Sequence, residues 1–402
     1  MSKNSSRAAG RHFLQIPGPS PLPDRVLRAM DMPIIDHRGP EFAKLAKRAL
    51  EGIKTIFKTT NPVIIYTATG TGAWEGALVN TLNAGDRVLM VETGQFATLW
   101  KKMAERLGLK PEFITTDWRV AADPKAIEAK LREDKGKEIK AVCVLHNETS
   151  TGALSPIAEI RKAIDAAGHP ALLMVDTISS LASVDYRHDE WGVDVSIGGA
   201  QKGLMLPPGM SFNAVSDKAL AANKAATLPK SFFAWDDMLA MNKVGFFPYT
   251  PATQMLQGLV TGIDMLHEEG LDNVFARHER LAEATRRAVR AWGLEIMCRD
   301  PKAYSPTITA VMVPDGHDAD KFRALALDTF NISYGASFGQ YTGKYFRIGH
   351  LGDTNDGTII GALGITEMAL KLAGIPHKKG GVQAAIDYIT SALAQPARAA
   401  AE

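Results

Sequence analysis

Short apolar runs alternate with longer amphipathic stretches between about residues 60 and 215 of this 402-residue chain. This alternation predicts strands joined by crossover helices, and therefore a mostly parallel sheet covered by helices. The runs are apolar at nearly every position, which indicates strands that are buried on both faces. The predicted strands are Val63–Tyr66, Arg87–Val91, Ala141–Leu145, Leu172–Val175, Val193–Ile197 and Ser211–Val215, and the predicted helices lie near 73–82, 97–107, 124–133 and 157–167.

A second, smaller unit is predicted in the last third of the chain. A long helical stretch from about 254 to 292 leads away from the first sheet. Beyond it, three apolar runs alternate with helices near 319–328 and 357–373, which indicates a small sheet with helices on one side. These runs are Leu294–Cys298, Thr307–Val313 and Tyr345–Ile348. The predicted division is a proline-rich, extended N-terminal arm at 1–24, a large domain at 25–270 and a small domain at 271–402.

The composition excludes several classes of function. Lys and Arg number 46 against 44 Asp and Glu, and the resulting charge of +2 provides no broad field for nucleic acid or an anionic membrane. Two cysteines are too few for a disulfide framework or a four-cysteine zinc site. The ten histidines show no metal-ligand spacing, so we expect no metal. Without a signal-peptide pattern or a membrane-length apolar run, we expect a cytoplasmic protein.

Three polar features directly follow predicted strands, where ligands bind in open α/β sheets. The turn Thr69–Gly72 precedes a helix, so it is suited either to a phosphate or simply to capping that helix. Asp176 ends an apolar strand, and its carboxylate either pairs with a protonated ring nitrogen or serves as a turn acid. Lys202 lies in a loop of small residues, where it is either a desolvated nucleophile or one of many solvated lysines.

These features belong to a longer series of motifs that extends over nearly the whole chain. In order, the motifs are IPGPSPLP, IDHRGPEF, TATGTGAWE, HNETSTG, LLMVDTISS, AQKGLMLPPG, FFPYTP and YFRIGHLG. The series resembles the class V aminotransferases of fold type I, and within them the serine–glyoxylate and alanine–glyoxylate aminotransferases. The resemblance implies an α/β fold with a large domain of mostly parallel sheet flanked by helices, a smaller C-terminal α/β domain, and pyridoxal 5′-phosphate (PLP) as the cofactor.

The resemblance also implies roles for individual residues. Lys202 and Asp176 become the catalytic residues, because Lys202 holds the cofactor covalently and Asp176 pairs with its pyridine nitrogen. Arg347 binds the substrate carboxylate, and Gly18 also lies at the substrate. The other implied cofactor ligands are Thr69, Gly70, Thr71 and Gln201 at the phosphate, Phe96 stacked on the ring, Thr149 at the phenolic oxygen, and Thr250, which a neighbouring subunit of a homodimer or tetramer lends to the phosphate. Some relatives carry a tyrosine where this chain has Phe247, so the phosphate cup differs there.

The implied reaction moves an amino group from a small L-amino acid to glyoxylate, giving glycine and a 2-oxo acid. Serine is the favoured donor because two motifs are more similar to serine–glyoxylate and aspartate–glyoxylate enzymes, and aspartate and alanine are the alternatives. A PLP-dependent sulfur lyase needs a flexible thiolate, for which Cys143 and Cys298 at strand positions are poorly placed. A nicotinamide-dependent dehydrogenase or a binding module would use the Thr69–Gly72 turn but leaves Asp176 and Lys202 unexplained.

Overall fold

The computed structural model describes residues 10–399, so residues 1–9 of the predicted arm and residues 400–402 lie outside it. The strands are β1 Phe13–Gln15, β2 Val63–Tyr66, β3 Arg87–Val91, β4 Lys110–Ile114, β5 Ile139–Leu145, β6 Asn147–Glu148, β7 Ala153–Leu154, β8 Leu172–Asp176, β9 Val195–Gly199, β10 Ser211–Val215, β11 Glu295–Ile296, β12 Ile308–Met312, β13 Ile332–Tyr334 and β14 Tyr345–Gly349. The helices are α1 Asp24–Met30, α2 Pro40–Phe57, α3 Gly70–Val79, α4 Gln95–Arg106, α5 Pro124–Glu133, α6 Ile157–Ala166, α7 Asp217–Asn223, α8 Trp235–Asn242, α9 Thr253–Glu269, α10 Leu271–Trp292, α11 Ala319–Phe330, α12 Asp356–Leu372 and α13 Gly381–Ala399.

A seven-stranded sheet forms the centre of the larger unit, in the order β2-β10-β9-β8-β5-β3-β4. The strands from β9 to β4 pair in parallel, whereas β10 is antiparallel to both of its neighbours. Alternate side chains of each strand enter two separate apolar clusters, with Val63 and Ile65 in one and Ile64 and Tyr66 in the other. The sheet is therefore buried on both faces, and the predicted mostly parallel α/β fold is confirmed.

A smaller antiparallel sheet, β11-β12-β14, follows in the C-terminal part of the chain. Side chains from α10, α11, α12 and α13 pack on it in one cluster, including Leu281, Phe322, Ile359 and Ala385. The N-terminal strand β1 does not extend the large sheet and instead pairs in parallel with β13. The arm is thus attached to the second unit, although it precedes the first in the sequence.

The structure corrects several predicted boundaries. The strand expected at Val193–Ile197 is shifted by two residues and runs over Val195–Gly199. The helical stretch expected at 254–292 is two helices, which are separated at Gly270, where φ is +84°. Strand β4 and helices α1 and α2 were not predicted. The domain boundary at residue 270 stays a prediction. Within residues 10–399, we find no helix with the length and apolar character that a membrane span requires.

Candidate active site

A cavity of about 240 Å³ lies at the carboxyl-end edge of the large sheet. Strands β2 and β9 both run antiparallel to β10, and β8 is parallel to β9, so these three strands end on the same side. The segments that follow them supply most of the cavity. The predicted site residues that line it are Gly18, Thr69, Gly70, Thr71, Phe96, Thr149, Asp176, Gln201 and Lys202. Arg347 and Thr250 are the two predicted site residues outside this lining.

Lys202 is buried in the loop that follows β9. Its Nζ donates a hydrogen bond to the carbonyl oxygen of Pro17, and its own carbonyl oxygen accepts one from Ser20 Oγ at 2.9 Å. Burial lowers the pKa of Lys202 to about 7, the positive charge of Arg347 lowers it as well, and Asp176 opposes the shift. A lysine with this pKa is substantially neutral at physiological pH, and a neutral amine is nucleophilic and basic.

The backbone at Gly18 makes room for the lysine. Its φ of +107° lies in the region that favours glycine, and a Cβ at this position would overlap the side chain of Lys202. The same segment is held to the lysine loop by a hydrogen bond from Ser20 N to the carbonyl oxygen of Gln201, at 3.0 Å. Gly18 and Pro19 therefore line the cavity, while their neighbours Pro17 and Ser20 hydrogen-bond to Lys202.

Asp176 is the last residue of β8, and its carboxylate points to the cavity. Oδ2 accepts a hydrogen bond from Trp74 Nε1 at 2.8 Å, and Oδ1 accepts one from the Ile178 backbone N–H at 2.7 Å. Burial nevertheless raises the pKa of Asp176 to about 7, and the negative charge of Glu148 adds to this rise. A cationic ring nitrogen beside Asp176 would favour the charged carboxylate, so the acid suits that group.

The N-terminus of α3 faces the same cavity. Gly70 and Thr71 open the helix, and the N–H groups of a first turn have no acceptor within the helix. Neither the Thr69 nor the Thr71 hydroxyl makes a hydrogen bond to any residue between 10 and 399. A Cβ at Gly70 would overlap Ile178, so only glycine lets the turn pack this closely. Free donors and the helix dipole make this end suitable for a phosphate.

Glu148 supports the segment that carries Phe96 and was not predicted from the sequence, although it lies in the motif HNETSTG. Its carboxylate is fully buried and accepts hydrogen bonds from the backbone N–H of Ala97 at 3.2 Å and of Phe96 at 3.4 Å. It also accepts from Ser150 N at 3.0 Å and Ser150 Oγ at 2.6 Å. Glu148 therefore caps α4 and fixes the helix turn that carries Phe96. Burial raises the pKa of Glu148.

Arg347 reaches the site from β14 and is itself buried. Its Nε donates to the carbonyl oxygen of Ala336 at 2.7 Å, and Nη1 donates to that of Thr149 at 2.8 Å. The guanidinium lies over the Phe338 ring at 4.8 Å, and burial lowers the pKa of Arg347 to about 10. Nη2 makes no hydrogen bond to the part of the chain that the structure describes. Arg347 is thus bonded to Thr149, which lines the cavity, and its Nη2 group remains available as a donor.

The motif FFPYTP lies away from the cavity of its own chain. Thr250 is exposed just before α9. Phe247 packs edge-on against Phe42, with ring centroids 6.1 Å apart. The Tyr249 hydroxyl donates to the carbonyl oxygen of Ser231 at 2.9 Å. Neither aromatic side chain lines the cavity of its own chain, so the effect of Phe247 on a phosphate cup shared between subunits stays a prediction.

Neither cysteine lies at the cavity. Both are buried, Cys143 within β5 and Cys298 beyond β11. Burial raises the pKa of Cys298 to about 11 and that of Cys143 further still. These thiols are neutral and enclosed, which is unlike the mobile thiolate that sulfur transfer requires.

The model of the family described as aminotransferase class-V matches residues 12–351. A serine–glyoxylate aminotransferase of Hyphomicrobium methylovorum is 49% identical over 390 residues, covering 96% of each chain. An L-aspartate–glyoxylate aminotransferase of Paracoccus denitrificans is 44% identical over 384 residues, covering 94% of this chain and 97% of the relative. The crystal structure of a pyridoxamine–pyruvate aminotransferase from Mesorhizobium loti has a TM-score of 0.89 at 29% identity, covering 94% of this chain and 97% of that one.

Proposed function

Because the chain belongs to the class V aminotransferase family, we propose that it transfers the amino group of L-serine to glyoxylate with PLP as its cofactor. The observation that carries the proposal is the meeting of an amine, an acid and a helix N-terminus at one cavity, contributed by Lys202, Asp176 and the Thr69–Thr71 turn. The choice of serine rests on the serine–glyoxylate relative at 49% identity. Aspartate is the second candidate, because a relative at 44% identity uses it, and alanine is the third.

The chemistry of the residues at the cavity fits PLP. Lys202 offers an amine with a pKa of about 7 to the aldehyde, and the Asp176 carboxylate suits the pyridine nitrogen. The free hydroxyls and N–H groups at the start of α3 suit the phosphate. The residues that would hold the cofactor are Thr69, Gly70, Thr71, Phe96, Thr149, Asp176, Gln201 and Lys202, with Thr250 of the partner subunit.

When bound, PLP supplies an electron sink that weakens the bonds at the substrate Cα. Lys202 Nζ acts as the base that takes the proton from this carbon, because its low pKa leaves the amine neutral. Asp176 keeps the ring nitrogen protonated through its negative charge. Arg347 orients the substrate by its carboxylate, for which a planar guanidinium is well suited. Gly18 and its neighbours close one side of the cavity and restrict the space for water.

A half-reaction panel tests the choice of donor. Holoenzyme is mixed with serine, aspartate or alanine in the absence of glyoxylate, and loss of the visible cofactor band is followed by stopped flow. We expect serine to bleach the band fastest. Faster bleaching by aspartate or alanine would reassign the donor, while the transaminase proposal would stand. The Lys202→Ala variant should lose both the band and turnover, and retention of both would contradict the assignment of Lys202.

We also propose the assembly and the location of the enzyme. An exposed Thr250 that does not line the cavity of its own chain supports a homodimer or tetramer in which each subunit completes its neighbour's phosphate site. Two free, buried cysteines support a reducing compartment, namely the cytoplasm. The arm at 1–24, the large domain at 25–270 and the small domain at 271–402 are proposed to be the units of the subunit.

A further inference from the structure

A second cavity, of about 570 Å³, shares no lining residue with the cavity of the proposed active site. The starts of α5 and α6, the segment at 184–191 and the short 3-10 helix Pro301–Ala303 surround it. Its walls include Leu154, Ile157 and Val184, so much of the interior is apolar. A cavity of this size and composition, with a few polar groups, is typical of small-molecule sites.

His146 and Trp191 give one side of this cavity an aromatic character. The His146 ring contacts Trp191 edge-on, with centroids 5.8 Å apart, and Tyr186 at 5.3 Å. Trp191 is half-buried and lines the cavity, and its indole N–H has no hydrogen-bond partner in residues 10–399. The face of an indole ring attracts organic cations more strongly than the other aromatic side chains do.

His146 also offers a hydrogen-bond acceptor to the cavity. The residue is 3% exposed, and its Nδ1 lies 2.9 Å from Ser180 Oγ. When Ser180 Oγ donates to the Thr177 carbonyl oxygen, 3.3 Å away, the imidazole donates from Nδ1 and keeps a lone pair on Nε2. Nε2 has no partner in the part of the chain that the structure describes. His146 lines the cavity, so a ligand in the cavity can donate an O–H or N–H to Nε2.

Carboxylates lie at the rim of the cavity. Asp123 and Asp300 accept only backbone N–H bonds, from the starts of α5 and the 3-10 helix, and neither forms a salt bridge within residues 10–399. Asp185, by contrast, is neutralised by Lys58 at 2.6 Å and by Arg187 at 2.8 Å. Lys302 is the one cationic side chain among the described residues that line the cavity. Because Asp123 and Asp300 are both unpaired, the rim carries a net negative charge.

The geometry points to a small organic cation as the ligand of this cavity. We propose that its ammonium group lies between Trp191 and the rim carboxylates Asp123 and Asp300, while an O–H or N–H of the ligand donates to His146 Nε2. A metal ion is a poorer fit, because no group of three or more His, Cys, Asp or Glu residues among those described is close enough to hold one. An anion is disfavoured by the rim charge. This site is separate from the proposed transamination site.

Choline and its uncharged isostere 3,3-dimethylbutan-1-ol test the proposal, because they differ in charge and hardly in shape. The quaternary nitrogen of choline cannot react with an aldehyde cofactor, so holoenzyme can be used. Isothermal titration calorimetry should show saturable choline binding that is about 10-fold tighter than binding of the isostere. Tetramethylammonium, which lacks the hydroxyl, should bind more weakly than choline. Equal affinity for choline and either comparison compound, or no saturable binding, would overturn the proposal.

Two variants locate the binding. Asp123→Asn and Asp300→Asn remove a charge but keep a side chain that caps a helix equally well, so folding and turnover should be unchanged. Each should weaken choline binding by about 3- to 5-fold. The matched control is Asp318→Asn, which changes the cap of α11 outside the cavity and should leave binding unaffected. Unchanged choline affinity in both cavity variants would place choline elsewhere and overturn the proposal.

Discussion

Lys202 and Asp176 are both buried, and burial acts on their pKa values in opposite directions. Burial is the largest cause of both shifts. It lowers the pKa of Lys202 to about 7 and raises the pKa of Asp176 to about 7. The attraction between the two groups opposes both shifts but does not overcome them. Both groups therefore titrate close to pH 7. A small change in nearby charge then alters which of the two groups carries the proton.

The rate of cofactor uptake by apoenzyme should therefore rise with pH through about 7. The lowered pKa of Lys202 means that the neutral amine, which attacks the aldehyde, is nearly fully formed by about pH 8, whereas an exposed lysine requires a pH above about 10. The measurement is the growth of the visible band after mixing with PLP at pH 6 to 9. A rate that keeps rising tenfold per pH unit up to pH 9 would contradict the prediction. Arg347→Gln should move the midpoint to higher pH, because Arg347 lowers the pKa of Lys202.

Two glycine substitutions should distinguish the effect of backbone strain on stability from the effect of crowding Lys202 on cofactor binding. Gly18→Ala and Gly85→Ala both place a Cβ at positive φ, at +107° and +84°, so each should lose about 1 kcal/mol of unfolding free energy. Only at Gly18 does the new methyl group overlap Lys202, whereas nothing lies within 4 Å at Gly85. Gly18→Ala should therefore bind PLP at least about 10-fold more weakly, by fluorescence titration. Equal PLP affinity in the two variants would show that Gly18 does not position the lysine.

The sequence predicted the site residues that follow strand ends. It did not predict the residues that position those side chains by hydrogen bonds. Lys202, Asp176 and Thr69 could be found because a strand end, a small-residue loop and a helix start are local patterns. Trp74 is a hydrogen-bond donor to Asp176 only because α3 packs over β9 and β10, beside the end of β8, which no local pattern reveals. Glu148 is similar, because its partners lie on a helix some fifty positions earlier in the chain.

At the scale of elements, helix α4 depends on a carboxylate from outside it. Glu148→Ala would leave the N–H groups of Phe96 and Ala97 and the Ser150 side chain without their acceptor, at a cost of about 2–3 kcal/mol. Glu148→Gln keeps one acceptor oxygen and should cost about 1 kcal/mol. The measurement is the free energy of unfolding in urea, together with the affinity for PLP, which should fall as Phe96 moves.

Glu105→Gln provides the control for this helix. Glu105 is exposed on α4 and pairs with Lys101 at 2.6 Å, so its replacement should change neither stability nor PLP affinity appreciably. If Glu148→Ala were as stable as Glu105→Gln, the buried carboxylate would not be the cap that the hydrogen bonds indicate. If stability fell while PLP affinity stayed constant, α4 would not position Phe96 at the cofactor.

The accuracy of the predicted elements followed how completely each is buried. Nearly continuous apolar strands were located within a few residues, because their short length and β-branched residues distinguish them from buried helices. Strand β4, Lys110–Ile114, was missed because it lies at the sheet edge, is only partly buried and contains a proline. Strand β9 was ended too early because it contains Gly198, where a Cβ would overlap Leu181 and Phe57. Glycine there reflects tight packing and not a turn.

At the scale of the whole molecule, the N-terminal arm joins the two units. Strand β1 pairs with β13 beside the small sheet, and a few residues later Pro17 and Ser20 bond to Lys202 in the loop after β9. Its proline content predicted only an extended segment, because pairing between residues more than 300 positions apart leaves no local signal. The arm therefore links the position of the proposed cofactor lysine to the small unit that carries Arg347.

The proposed exchange of Thr250 between subunits leads to a test on mixed dimers. One chain carries Lys202→Ala, and the other carries Thr250→Asp, whose negative charge should repel the cofactor phosphate. Each homodimer should be inactive. In the mixed dimer, the intact Lys202 of one chain meets the intact Thr250 of the partner subunit, so one of the two sites should recover and give about half of the wild-type activity per dimer. Mixed dimers purified with two different affinity tags should show this recovery in a serine–glyoxylate assay. If Thr250 instead serves its own chain, every site in the mixture contains one of the two defects, and no activity returns.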